Sequence, residues 1–382
     1  MKITGLLLVA GAALSSTAQA ITWKKADTIV GNDFYNKFNF FNGKDPTNGL
    51  VNYLAKEDAV QKNLTYVKDD SFVMRVDTVE IAPSGRNSVR IQSKALYENS
   101  VYILKVKHFP TGCATWPAFW TLTWNLTNWP SGGEIDILEN ANDQFDYNLG
   151  SIHVDKSCKL TQNEQSGTIV YDECYAYNSE NAGCRIAMNG TSTTTWGDKL
   201  NKMGGGIVAM ERDFSSSGKG VRMWFWDANS NLPSDVKTIG DTVNPDNWGK
   251  PAAYFNIPNC RDSFDPHSIV FDITLCGDWA GNTYEQTSCA AQYGVCSKQV
   301  RDFGSSFNDS YWDVTGLYIF SDDGNNVGTT TIAPNATRDV TASATLSPRS
   351  ADQQDGSPVM VSTTGITAVF AAVLAVLIYY AA

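Results

Sequence analysis

The chain has 382 residues, 42% of them hydrophobic and 12% aromatic, with a net charge of −11 at neutral pH. The acidic balance argues against a nucleic-acid partner, which needs a basic patch. A neutral polysaccharide makes no demand on net charge. The eleven Trp and sixteen Tyr offer faces on which sugar rings stack, although a large β core uses the same residues.

In chain order, Met1-Lys2 followed by an apolar run from Gly5 to Leu14 and Ala18-Gln-Ala20 reads as a secretory signal peptide over residues 1–20. The apolar run is too short for a spanning anchor. Secretion frames the eight cysteines, Cys113, Cys158, Cys174, Cys184, Cys260, Cys276, Cys289 and Cys296. An even number in an exported chain points to disulfides. Cys174–Cys184 and Cys289–Cys296 are the local pairs to expect. No Cys-x-x-Cys pair or His cluster marks a metal, so no metal and no cofactor is expected. Sequons at Asn63, Asn125, Asn189, Asn308 and Asn335 agree with a eukaryotic secretory route.

From Ser71 to Phe109 the pattern is strand-like: Phe72–Val79, Ser88–Ser93 and Ser100–His108, with a turn at Pro83–Asn87. His108 reads as structural. Thr115 to Trp129 holds Trp116, Trp120, Trp124 and Trp129. Trp120 and Trp129 are the expected sugar platforms, and Trp116 is expected in the core. Further strands are expected around Asn148–Val154, Ile207–Arg212, Val221–Asp227, Ser268–Leu275 and Trp312–Phe320. The polar, cysteine-bearing stretch between Asp155 and Lys202 reads as a disulfide-tied loop. Gly204-Gly-Gly206 lacks the form of a phosphate loop. No amphipathic helix stands out. Many short strands separated by turns imply an all-β sandwich.

The chemistry gathers in Ser131-Gly-Gly-Glu134-Ile-Asp136-Ile-Leu-Glu139. Side chains on a strand alternate faces, so Glu134 and Asp136 share one face. Glu139 falls out of step unless one β-bulge after Asp136 brings it round. Three acids on one face repel each other and resist desolvation, which favours a functional reading over an exposed acidic edge. Two carboxyls brought close suit retaining glycoside hydrolysis, where they stand about 5–5.5 Å apart. His153 on a neighbouring strand reads as structural from the residues alone.

The runs Trp116-Pro-Ala-Phe-Trp120, Asn128-Trp-Pro-Ser-Gly-Gly-Glu-Ile-Asp-Ile-Leu-Glu139, Ser151-Ile-His153 and Leu275-Cys-Gly-Asp-Trp-Ala-Gly281 resemble the fungal laminarinase-type members of glycoside hydrolase family 16, which are endo-1,3(4)-β-glucanases. The likeness covers about Phe34 to Ser321. Its Glu-x-Asp-x-x-Glu signature resembles the bulged branch of that family; lichenases and fungal wall transglycosylases carry a form one residue shorter. The resemblance implies a jelly-roll β-sandwich with a concave cleft, Glu134 as nucleophile, Asp136 as assisting acid and Glu139 as acid/base. It implies Trp279 as a cleft wall, Arg86 as a substrate-facing arginine and Asn52 as a sugar contact, although Asn52 also reads as a turn residue. For His153 it implies, instead of a structural role, a hydrogen bond to the nucleophile or a sugar hydroxyl. A structural calcium occurs in the family, but no ligands for one stand out here. The expected partner is β-glucan, taken by a monomer without nucleic acid. Hydrolysis is the main expectation, with a wall transglycosylase or a non-catalytic glucan receptor as alternatives.

After residue 323 Gly, Thr, Ser, Ala and Asn dominate, and residues 324–357 read as an unfolded, O-glycosylated stalk. The apolar run from Ile366 with no basic flank, a polar spacer and small residues at Asp355-Gly-Ser read as a lipid-anchor signal over residues 358–382. An ordinary transmembrane helix would carry a basic cytoplasmic flank. Asp355 is the expected lipidation site, with Ser350 or Ala351 as alternatives. The expected location is the cell surface, anchored at plasma membrane or wall.

Overall fold

The computed structural model describes residues 22–123, 129–161, 164–178, 181–190 and 194–330, with the backbone of 331 and 343–346. The described residues belong to one compact unit. The signal peptide, Trp124, Asn125, Asn335, Asp355 and the anchor signal lie outside the described residues.

Two large antiparallel sheets pack face to face, as a jelly-roll sandwich requires. The eight-stranded sheet runs, edge to edge, through Thr168–Tyr171, Cys184–Ala187, Leu149–His153, Glu134–Glu139, Thr115–Thr123, His267–Leu275, Arg90–Ser93 and Phe38–Phe40. The nine-stranded sheet is built on Trp23–Ile29, Tyr311–Ser321, Ser100–His108, Gly206–Asp213 and Gly220–Asp227, with shorter strands at its margins.

Alternation explains both layers. In Ser100–His108, Tyr102, Leu104 and Val106 face the core between the sheets, while Val101 and Ile103 face a second cluster around Trp23, Trp224 and Trp248. This strand is therefore apolar on both faces. In the eight-stranded sheet Ile91, Phe119, Ile135, Ile152, Ile186, Phe271 and Ile273 point into the same inter-sheet core. The opposite face of that sheet is left polar and aromatic, and it carries the site.

Four disulfides tie the unit: Cys113–Cys289, Cys158–Cys260, Cys174–Cys184 and Cys276–Cys296. Cys174–Cys184 is as expected. Cys289–Cys296 is not formed: Cys289, on the helix Ser288–Tyr293, bonds Cys113 in the turn before Thr115–Thr123, and Cys296, opening the helix Cys296–Asp302, bonds Cys276 just past His267–Leu275. The expected stalk also begins too early. Gly328–Thr331 pairs with Ala95–Leu96 and with Ser343–Leu346, so backbone ladder bonds extend the fold past residue 323 despite the polar composition. Among the described residues no helix is long and apolar enough to cross a membrane.

Candidate active site

The expected bulge is present in Glu134–Glu139. Against Thr115–Thr123, Glu139 lies opposite Ala118 and Leu138 opposite Phe119, but Asp136 lies opposite Trp120. Ile137 is the extra residue. Ile137 and Leu138 both turn into the core, each fully buried, and Glu134, Asp136 and Glu139 consequently share the concave face. The bulge breaks ladder bonds toward Leu149–His153, where pairing stops at Asp136 and Ser151. The buried amide of Asn148 replaces them: its Oδ1 accepts the Glu139 N–H at 2.7 Å and its Nδ2 donates to the Ile137 carbonyl at 2.8 Å.

The turn before the acids is equally specified. Gly132 and Gly133 have φ of +83° and +79°, and a Cβ on Gly133 would stand 2.4 Å from the Phe264 ring. His267, buried, joins Thr121 Oγ1 at 2.9 Å to the Gly132 carbonyl at 2.8 Å. Nothing in the sequence pattern singled it out.

Each carboxylate has its own partner. Trp129 Nε1 donates to Glu134 Oε2 at 2.8 Å, and Trp116 Nε1 donates to Glu139 Oε1 at 2.7 Å. His153 Nε2 lies 3.1 Å from Asp136 Oδ2 and 3.8 Å from Glu134 Oε1. Asp136 is 3% exposed and Glu139 7%. Burial, then the charge of Asp136, pushes Glu134 up to about 8. Burial likewise raises Asp136 to about 7 and Glu139 to about 7, against the opposing charge of Arg185. Burial holds His153 below its usual range. The raised Asp136 and the lowered His153 both favour a neutral, hydrogen-bonded pair over an ion pair. Glu134, Asp136 and His153 also bring ligand atoms within 4.8 Å of one another, but each is already hydrogen-bonded in the acid cluster.

The remaining expected residues divide. Trp120 and Trp279 are half-buried on the concave side; Trp120 donates to Asp272 Oδ2 at 3.2 Å. Trp116 is a correction: it lies on the concave side with Trp120, four residues away on one strand, and touches Glu139 instead of the core. Arg86 is also a correction. It is fully buried, and its guanidinium is consumed by the carbonyls of Val300, Asp77, Val79 and Glu80. Arg90 does lie on the concave face, where it pairs with Asp272 at 3.7 Å and sits over the Trp120 ring at 5.0 Å. Asn52 is exposed, and its amide pins the carbonyls of Ser84 and Gly85. His108 is structural as expected, stacked on Tyr311. Asp272, raised by burial to about 7, and Arg185 were not foreseen. Asp272 was findable as the one acid within Ile-Val-Phe-Asp-Ile-Thr-Leu.

Several buried polar atoms along this face have no partner among the described residues, including Asn39 Nδ2, Arg90 Nε, Gln92 Nε2, Ser151 Oγ and Arg185 Nε. Strand register places them in rows across the cleft: Arg90 opposite Asp272, Gln92 opposite Asn39, and Ser151 between Asp136 and Arg185. Buried polar groups are ordinarily satisfied by protein or water, so these atoms are free to bond water or a ligand hydroxyl.

A jelly-roll whose concave face carries buried, paired carboxyls walled by indoles defines a glycoside hydrolase. Residues 38–320 match the XgeA-like, catalytic GH16 domain, and the chain belongs to glycoside hydrolase family 16. It is 35% identical to a probable glycosidase of Schizosaccharomyces pombe, over 79% of this chain and 70% of that one. It is 34% identical to a probable endo-1,3(4)-beta-glucanase of Aspergillus fumigatus over 82% of this chain, and it spans about half (48%) of that relative's length. Laminarinase 16A from Phanerochaete chrysosporium, solved with beta-glucans in donor and acceptor sites, aligns with a TM-score of 0.71 at 35% identity, over 78% of this chain and 100% of that one. An elongating family 16 beta-1,3-glucosyltransferase aligns at 0.69 and 30% identity, with the same coverage.

Proposed function

We propose that the protein hydrolyses β-1,3-glucan and mixed β-1,3/1,4-glucan internally, with retention at the anomeric carbon. The observation that carries this is the bulged strand, which holds Glu134, Asp136 and Glu139 on one face under separate hydrogen-bond control. The relatives described as endo-1,3(4)-beta-glucanases support the substrate class.

In the first step a Glu134 oxygen bonds to the anomeric carbon, the glycosidic C–O bond breaks, and the leaving oxygen takes the proton of Glu139. In the second, Glu139 takes a proton from water as the water oxygen bonds to that carbon and the bond to Glu134 breaks. Asp136, hydrogen-bonded to His153 Nε2, steadies Glu134 between its charged and bonded states. Trp129 and Trp116 keep each carboxyl in its rotamer. Trp120, Trp129 and Trp279 offer stacking faces for the chain, and Asn52 is a peripheral contact at most. Arg90, buried on the concave face, takes the contact role expected of Arg86.

The test is product analysis on laminarin and on mixed-linkage β-glucan, with the unaltered protein and the Glu134→Gln variant. Short oligosaccharides from the unaltered protein alone are expected. Products longer than the substrate would support a transferase, the second reading, which the aligned glucosyltransferase motivates. Binding with no product would overturn both.

Export and lipid anchoring at the cell surface, with lipidation near Asp355, form part of the proposal. The four disulfides support an oxidising compartment. Asn63, Asn189 and Asn308 are exposed, as glycan acceptors must be. Treatment of intact cells with a phosphoinositide-specific phospholipase, followed by detection of the released protein, tests the anchor.

A further inference from the structure

The two steps above leave unused one cation beside the carboxylates. Arg185 lies on Cys184–Ala187 opposite Ser151, which lies opposite Asp136. Its guanidinium sits over the Trp279 indole at 5.0 Å, and Trp279 meets Trp116 edge to face at 5.7 Å. Trp116 is the group that holds Glu139, at 2.7 Å. Arg185, Trp279 and Trp116 therefore form a continuous wall that ends at the Glu139 carboxyl. On the other flank Arg90 is committed to Asp272. Arg185 is different: its Nε is buried with no hydrogen-bond partner among the described residues, and so is Ser151 Oγ beside it. A buried donor left unpaired is costly. A guanidinium held over an indole keeps its donors in a fixed fork. That fork matches adjacent hydroxyls of a pyranose ring.

We infer that Arg185 and Ser151 Oγ bind the hydroxyls of the sugar on the Glu139 side of the scissile bond. This is the sugar that departs in the first step and that can replace water in the second. The inference rests on the reading of Glu139 as acid/base, since the leaving oxygen is the one that takes its proton. A sugar held by Arg185 brings a hydroxyl oxygen to the anomeric carbon. That O–C bond forms, the bond to Glu134 breaks, and the hydroxyl proton passes to Glu139. Arg185 thereby sets how much glycosyl-enzyme goes to transfer and how much to water. The charge of Arg185 also opposes the rise in proton affinity of Asp136 and Glu139, which agrees with its place on that wall.

The experiment uses an aryl β-glucoside of a short β-1,3-linked donor, whose phenol leaves without needing a sugar site, and a β-1,3-linked glucose disaccharide as acceptor. Phenol release reports formation of the glycosyl-enzyme, and chromatography of the products separates transfer from hydrolysis. In Arg185→Met the acceptor concentration for half-maximal transfer is expected to rise by about tenfold to a hundredfold, the range for a lost charged hydrogen bond. Phenol release should fall far less, by about twofold to threefold. Arg185→Lys keeps the charge without the fork, and it is expected to recover less than half of the acceptor affinity. It also keeps the test available if the methionine variant does not fold. Unchanged acceptor dependence in either variant would overturn the inference, as would equal losses in phenol release and acceptor use. If the unaltered protein forms no glycosyl-enzyme, seen as no covalent adduct by mass spectrometry with a slow fluorinated donor, the double-displacement reading itself fails and takes this inference with it.

Discussion

The side-chain amide of Asn148 closes the gap that the bulge opens beside Glu139, accepting the Glu139 N–H at 2.7 Å while donating to the Ile137 carbonyl at 2.8 Å. Both bonds are buried, and Asn148 is itself fully inaccessible. The position of the Glu139 carboxyl thus depends on a residue outside the acid cluster.

Replacing Asn148 with Ala leaves a buried N–H and a buried carbonyl unpaired. Each such loss costs about 1–3 kcal/mol. The variant is expected to lose roughly 2–5 kcal/mol of stability in denaturant unfolding, and kcat at 25 °C is expected to fall more than tenfold as Glu139 drifts. A stable variant with unaltered kcat would show that the bulge holds without this amide.

Glu134→Gln and Glu139→Gln preserve shape and remove the ionisable group. Each should lower release of reducing ends from laminarin by roughly a thousandfold or more. Glucan affinity in a pull-down on insoluble β-1,3-glucan should persist, because Trp120, Trp129 and Trp279 are untouched.

The raised carboxyls make stability depend on pH. Glu134 at about 8, and Asp136, Glu139 and Asp272 at about 7, bind protons more tightly when folded than when unfolded. Their contribution is complete below the ordinary carboxylate range of about 4 and is lost as pH rises through about 7–8. His153 and His267 are shifted the other way, so their effect is confined to pH below about 6.5. From about pH 6.5 to 8 the Tm is therefore expected to fall, by about 2–6 °C. Asp272→Asn should flatten part of that slope, which differential scanning calorimetry at four or five pH values would reveal.

Two disulfides should behave in opposite ways. Cys113–Cys289 closes a separation of 176 residues, and its double Ser variant is expected to lose about 3–5 kcal/mol of stability. Cys174–Cys184 spans only 10 residues, for about 2–3 kcal/mol. That short loop, however, carries Tyr177, which contacts Trp129 edge to face at 6.5 Å, and Trp129 holds Glu134. Its removal should reduce kcat roughly tenfold beyond any effect of unfolding.

The acid strand was readable from the sequence because its polar and aliphatic residues obey a period of two with one interruption. The strand Ser100–His108 was readable for the same reason. Trp116 was misread although the signal was available: an interval of four along a strand keeps two side chains on one face. Arg86 and Arg90 differ only through contacts far away in sequence, such as the Arg86 bond to the Val300 carbonyl, and no local pattern distinguishes them. Arg185 escaped notice because its strand is four residues long and lies within a polar, cysteine-bearing stretch. The pairing of Cys113, Cys276, Cys289 and Cys296 follows from where the two short helices pack, and that is decided by the tertiary fold.

Ile137 and Leu138 lie side by side in the dry layer behind the cleft, each without accessible surface. The step between the two working carboxyls is therefore gauged from the rear of the sheet, by the bulk of two aliphatic groups wedged between the layers. A change there leaves the cleft lining chemically identical and still alters its bite. Selection acting on the packing of the core can in this way retune the enzyme's chemistry with the substrate-facing surface held constant.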